Sequence, residues 1–206
     1  LNTRGLTQAV DQLLAEKPDP AKKPAPRETE VKPSAENDAK FPTFTNDPQS
    51  QRDLRGQRAP DFYVEEWISQ PVNPRGKVLI VEFSATRCGP CIAMLPHMNE
   101  LANQFRGDAE VMWITNETPQ KFFDGMKSRN LTPQSFAFPV ASDPDTRMMK
   151  AVGASYWPTA LAISSDWVVR WQGHPRFLEA GDLKKIVEAN RALVGSDSAR
   201  YRWTGK

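Results

Sequence analysis

From Asp53 onward the apolar positions switch between two periods. Lys77–Phe83 (Lys-Val-Leu-Ile-Val-Glu-Phe) is nearly continuous apolar and β-branched, the pattern of a strand buried on both faces. Residues 111–115 repeat it, Pro139-Val140 reads as a shorter strand, and 62–67 reads as a first strand or hairpin behind the turn-forming Ala59-Pro60. Helical spacing takes over at 90–106, 119–129, 143–152 and 182–193. In the second of these Phe122, Phe123 and Met126 share a face behind a Thr118 cap. In the last, Asp182 falls at the N-cap and Gly195 just past the end. Residues 159–164 and 167–172 read as an antiparallel pair around Ser165-Asp166. Strands alternating with helices predict an α/β domain over 53–195, with a central mixed sheet covered on both faces and a terminal hairpin.

The first 52 residues lack this patterning. Leu6, Val10, Leu13 and Leu14 make a helical stripe, which predicts a short amphipathic helix over 1–16, marginal by itself in water. Residues 17–52 run through Pro18, Pro20, Pro24, Pro26, Pro33, Pro42 and Pro48 with mixed charge and almost no aliphatic side chains. Such a stretch buries too little apolar area to offset its ordering entropy, so it reads as an extended, disordered linker. A Pro-rich recognition motif is the rival reading, but no P-x-x-P stands in aromatic context. The apolar share of 39% is low for that reason, and 18 prolines against 11 glycines tell the same story.

Charge excludes more than it suggests. The 27 basic and 25 acidic residues leave a net +2, with no basic run that would support nucleic-acid binding. Arg200, Arg202 and Lys206 in the 196–206 tail are the one weak hint of an acidic surface as partner. No run of 18 apolar residues is present. The chain begins at Leu1 rather than Met, which fits a removed leader or an engineered start, and it carries no charged-then-apolar signal segment.

The two cysteines stand together as Cys88-Gly89-Pro90-Cys91. One close pair is neither a disulfide framework nor, with His97 and His174 far apart in sequence, a standard zinc site. The pair follows a buried strand directly and opens a helix. There the orphan amides and the helix dipole favour a thiolate over a thiol. Pro90 fits the first turn, where its missing N–H costs nothing. Cys88 is then the exposed nucleophile and Cys91 the resolving thiol of an exchange that passes through a mixed disulfide. A metal-binding knuckle or an inert structural disulfide is the bland alternative.

With its context, the segment Gly76-Lys-Val-Leu-Ile-Val-Glu-Phe-Ser-Ala-Thr-Arg-Cys-Gly-Pro-Cys91 resembles the active-site strand and helix of the thioredoxin superfamily. Gly56-Gln-Arg-Ala-Pro-Asp-Phe62 is similar to the entry segment of the extracytoplasmic TlpA/ResA-like group. Pro96 falls where that superfamily kinks its active-site helix, and Trp157-Pro158-Thr159 matches its cis-proline segment. The resemblance covers roughly residues 53–194. It implies a thioredoxin fold with the TlpA-like central insertion and an N-terminal hairpin, and a thiol–disulfide oxidoreductase working on protein cysteines outside the cytoplasm, in a periplasm or secreted. The substrates it implies are apo-cytochrome or other secreted cysteines, beside a redox partner protein. No cofactor is implied beyond the Cys88–Cys91 couple. The N-terminal helix and linker would then tether the domain to a membrane or a partner.

The resemblance also implies site residues. Pro158 is expected cis and across from Cys88, with the backbone of Trp157 and Thr159 and the exposed turn of Gly89 and Pro90 meeting a substrate strand as an added β-strand. Glu82 is a carboxylate in an apolar strand, expensive to bury, and burial raises its pKa. In the family that position exchanges a proton with the resolving cysteine, so Glu82 is expected to act as general acid/base for Cys91. A strand-end carboxylate reaching solvent is the alternative. Two positions depart from the family: Arg87 replaces a usual Trp, and Ser84 stands where an aromatic or small apolar residue is common. Arg87 could lower the Cys88 pKa or read an acidic partner surface. Soft copper held by the cysteines with His97, His174, Met94 and Met98, or a non-catalytic adaptor built on the fold, are the competing functions. Met94 and Met98 read first as packing residues. Asn116-Glu-Thr118 and Asn130-Leu-Thr132 match glycosylation sequons, frequent by chance.

Overall fold

The computed structural model describes residues 35–194. The helix expected over 1–16, the linker up to residue 34, Gly195 and the basic tail lie outside them. The described elements are α1 (Ala35–Asp38), β1 (Glu66–Trp67), β2 (Val78–Ser84), α2 (Gly89–Gln104), β3 (Ala109–Thr115), α3 (Pro119–Ser128), β4 (Val140–Ser142), α4 (Arg147–Ala151), β5 (Thr159–Ile163), β6 (Val169–Gly173) and α5 (Ala180–Val194). They form a six-stranded sheet in the order β1-β4-β3-β2-β5-β6. β2 and β3 are parallel, β3 and β4 parallel, and β5 runs antiparallel to both β2 and β6. This is the mixed sheet with a terminal hairpin that the patterning predicts.

Every residue of β2 is buried, and its alternation divides two cores. Val78 and Ile80 share one with Ala109, Val111 and Trp113 of β3, Ala160 and Ala162 of β5, Cys91, Leu95, Met98 and Leu101 of α2, Phe122 and Met126 of α3, and Leu183 and Ile186 of α5. Leu79, Val81 and Phe83 share the other with Met112, Ile114, Leu161, Ile163, Met148 of α4 and the entry loop from Leu54 to Val72. Period-2 geometry therefore puts Glu82, two residues on from Ile80, on the face that carries Cys91.

The expected linker does not run to residue 52. Phe41 is buried, with the Arg170 guanidinium 3.8 Å from its ring centroid. Arg170 has a side chain only 3% exposed in β6, and it pairs with Asp38 and with Asp166. Asn46 donates to the Gln172 carbonyl at 2.8 Å, and Ser50 donates to the Val152 and Gly153 carbonyls at 2.9 and 2.7 Å. A buried guanidinium needs anionic partners, and this segment supplies one; composition alone does not reveal that pairing. A Cβ on Gly173 would stand 2.3 Å from Asn46 Nδ2, so glycine is what lets the strap lie against β6.

Three smaller differences follow from hydrogen bonding. No N-terminal hairpin forms around 62–67: the two-residue β1 pairs antiparallel with β4 instead. The last helix starts at Ala180, so Asp182 sits in its first turn rather than at the cap, still favourably placed toward the dipole. The helix expected over 143–152 shrinks to α4, because Asp143 turns its carboxylate onto the Met148 amide at 2.8 Å and caps the turn from outside.

Candidate active site

Cys88 and Cys91 form a disulfide, with their Cα atoms 5.2 Å apart. Cys88 is the N-cap of α2, and its Sγ accepts the Cys91 amide at 3.2 Å. The amide aimed at that sulfur would aim at a thiolate after reduction. Cys88 is half-buried while Cys91 is 1% exposed, the asymmetry a nucleophile and a resolving thiol require. Gly89 and Pro90 are exposed on the first turn, and Pro96 lies inside the helix.

The Trp157-Pro158 peptide is cis, as expected. Trp157 is half-buried and packs against both cores, and Cys88 packs against the first of them. Arg87 joins the two loops directly. Its guanidinium lies 4.8 Å from the Trp157 ring centroid, donates to Asn116 Oδ1 at 3.0 Å and sits 3.7 Å from Glu117 Oε1. The cation beside Cys88 is thus partnered within the chain and stacked on the cis-proline loop. Thr159 is fully buried, and its hydroxyl donates to the Tyr156 carbonyl at 2.7 Å and the Gln49 carbonyl at 3.3 Å. Its side chain thus ties the cis-proline loop to Gln49.

Glu82 is 2% exposed, so the carboxylate does not reach solvent. Burial pushes its carboxyl up to about 8, opposed by a hydrogen bond that Ser84 Oγ donates to Oε1 at 3.1 Å. Ser84 therefore has a partner at the site, which its departure from the family pattern did not foretell.

Sequence reasoning missed Glu117. It is 4% exposed, and its carboxylate accepts the Thr86 amide at 2.8 Å, the Thr86 hydroxyl at 2.6 Å and the Thr115 hydroxyl at 2.7 Å. Ser142 donates to the Glu117 carbonyl at 2.8 Å. This one carboxylate ties the residues ahead of Cys88 to the end of β3. On the other side of the same loop, α3 passes so closely that a Cβ on Gly125 would lie 1.8 Å from Thr86 Oγ1. The contacts span about thirty residues of sequence, and no local pattern announces them.

The histidines serve elsewhere. His97 Nε2 hydrogen-bonds the Leu178 carbonyl at 3.1 Å, and His174 Nδ1 accepts the Arg176 amide at 3.2 Å. Among the described residues no three His, Cys, Asp or Glu side chains gather as a metal would need.

Known proteins agree with this geometry. The family model described as AhpC/TSA matches residues 55–173, more than half of the chain. The thiol-disulfide oxidoreductase ResA of Bacillus thuringiensis is 28% identical over 116 residues, 54% of this chain and 64% of that protein. The chain thus spans less than two thirds of that relative's length. Among solved structures, a thioredoxin-like protein in its oxidized form aligns with a TM-score of 0.53 at 16% identity, over 66% of this chain and 98% of its own. A thiol-disulfide isomerase from Corynebacterium glutamicum aligns with a TM-score of 0.50 at 19% identity, over 65% and 97%. These structural likenesses establish the thioredoxin fold.

Proposed function

Because the chain belongs to the AhpC/TSA family and sets a vicinal cysteine pair at a helix N-terminus, we propose that it is a thiol–disulfide oxidoreductase acting on protein cysteines. The observation that carries the reading is the unequal burial of the pair on α2. In the reducing direction, the Cys88 thiolate attacks a substrate disulfide; the Cys88–substrate S–S bond forms as the substrate's own S–S bond breaks, and one substrate thiolate leaves. Cys91 then gives up its proton and attacks Cys88 Sγ; the Cys88–Cys91 bond forms and the second substrate thiolate leaves. Glu82, on the Cys91 face of the sheet, is the base that takes the Cys91 proton, and it returns the proton in the oxidising direction. The backbone beside Pro158 receives the substrate as an added strand, and Arg87 holds Trp157 in register with Cys88.

The substrates are protein thiols and disulfides, and a redox partner protein resets the couple. The setting is extracytoplasmic, following the resemblance of the Gly56–Phe62 entry segment to the extracytoplasmic TlpA/ResA-like group. Insulin reduction by dithiothreitol tests the proposal. The protein is expected to accelerate precipitation of the insulin B chain, and Cys88→Ser to remove the acceleration. Undiminished acceleration with Cys88→Ser would reject the assignment.

A further inference from the structure

We propose that Ser84 is a positioning residue for the resolving step: its hydroxyl holds one oxygen of the Glu82 carboxyl and leaves the other for the Cys91 proton. The inference rests on the acid/base reading of Glu82 above. Ser84 stands two residues on from Glu82, so the pleat sets both side chains on the face of β2 that carries Cys91. Ser84 is 1% exposed and Glu82 2%, and Ser84 Oγ donates to Glu82 Oε1 at 3.1 Å. Among the described residues no other group donates to that carboxyl. Trp113 stands opposite Glu82 on β3, but its indole N–H is buried without a hydrogen bond. Thr115 stands opposite Ser84, and its hydroxyl donates to Glu117. On the other side of β2, Glu82 meets Ala160 of β5, which has no polar side chain.

A carboxyl group sunk in an apolar strand is a poor base, because burial disfavours its anion. A hydroxyl donated to Oε1 favours the anion, and a hydrogen bond to a charged acceptor is about twice as strong as a neutral one. The same bond fixes the carboxyl, since rotating it would break the contact. A serine hydroxyl has a single proton and serves one oxygen, so Oε2 is the atom left to accept. In the resolving step the Cys91 proton passes to Glu82 Oε2. The electron pair left on Cys91 forms the bond to Cys88 Sγ, and the substrate thiolate leaves. Ser84 keeps its own proton throughout. The oxidising direction runs the same transfers in reverse.

The charged and titratable groups of the surrounding elements leave this pair to itself. Cys91 of α2 shares the face; further along that helix His97 bonds the Leu178 carbonyl and Glu100 is exposed. Arg87, ahead of α2, is engaged by Trp157, Asn116 and Glu117. On β3, Glu110 pairs with Lys77 at the far end of the sheet. Lys121, Asp124 and Lys127 of α3 are exposed, as are Lys184, Lys185, Glu188 and Arg191 of α5, whose Asp182 is half-buried. The helix α4 with Arg147, and Asp143 ahead of it, packs through Met148 on the other core. The strand β5 carries no charged residue.

Reduced protein mixed with the aromatic disulfide DTNB separates the steps. The first absorbance phase is attack by Cys88, and the second is resolution by Cys91. Ser84→Ala is expected to leave the first phase alone and to slow the second at pH 7 by on the order of 10-fold, part of the 10²–10⁴ that positioned proton transfer contributes. The pH midpoint of the second phase is expected to rise by about one unit, the same factor of ten, because the hydrogen bond that opposes burial is gone. In a Glu82→Gln background, Ser84→Ala is expected to slow nothing further, since a positioning residue acts only through the group it positions. Oxidised Ser84→Ala supplies a second reading: its denaturant midpoint should go on falling to a higher pH than that of the wild type. A wild-type second phase and midpoint in Ser84→Ala, with Glu82→Gln slowed, overturns the inference and leaves the Glu82 reading intact. Slowing by the same factor with and without Glu82 makes Ser84 merely structural and also overturns it. An unchanged second phase in Glu82→Gln removes both ideas together.

Discussion

Glu82 is a carboxyl group set into a strand whose every residue is buried, and that placement has a thermodynamic signature. In the oxidised protein neither cysteine titrates, so the group can be followed by itself. Its folded value of about 8 lies above the ordinary 4.5. Between those two pH values the folded state keeps a proton that the unfolded chain has released. The Glu82 contribution to stability is therefore fully present below pH 4.5, falls as pH rises through the window, and is lost above 8. At about 1.4 kcal/mol per unit, the loss amounts to a few kcal/mol. Denaturant midpoints of the oxidised protein are expected to fall from pH 5 to 8, and those of Glu82→Gln to stay level over the same range. A wild-type midpoint as level as the variant's would mean that Glu82 is solvated. Glu82 was legible in the sequence because an acid in an apolar run stands out. Its partner was not, because a serine at a strand end has many ordinary uses and only its contact with Oε1 distinguishes this one.

At the scale of elements, the loop between β2 and α2 is locked from two sides. Glu117 gathers the Thr86 and Thr115 donors, and α3 closes over Thr86 at Gly125. Glu117→Ala leaves three buried donors without an acceptor and is expected to cost about 3 kcal/mol or more, read as a lowered denaturant midpoint. Two glycine substitutions make a sharper comparison. Gly125→Ala drives a methyl into Thr86, and overpacking of this kind costs about 1–3 kcal/mol. Gly181→Ala, in the first turn of α5, meets nothing within 4 Å and is expected to be neutral or to stabilise by up to about 1 kcal/mol. Equal effects would mean that the α3 contact with the loop is slack. The strands and helices themselves were readable, because each is announced by its own periodicity. The lock was not, since Thr86 and Glu117 lie on different elements and neither type signals the other.

For the molecule as a whole, the residues from Ala35 to Arg52 belong to the folded unit. Phe41 under Arg170, Asn46 on Gln172 and Ser50 on the α4–β5 turn pin that strap along the edge strand and toward the cis-proline loop. Phe41→Ala is expected to cost about 3 kcal/mol. A chain begun at Asp53 should melt below one begun at Lys32; identical melting temperatures would show that the strap adds nothing. The prolines of this segment argued for a linker because they lower its capacity for regular structure, yet an extended strap needs little regular structure when the sheet edge supplies its partners.

The exchange chemistry itself is tested most directly by trapping its covalent intermediate. Reduced Cys91→Ser protein is incubated with a protein disulfide substrate, and the adduct is mapped by peptide mass spectrometry without reductant. A mixed disulfide on Cys88, absent from Cys88→Ser, is the expected result. No adduct on Cys88, or an equal yield from Cys88→Ser, would contradict thiol–disulfide exchange at this site.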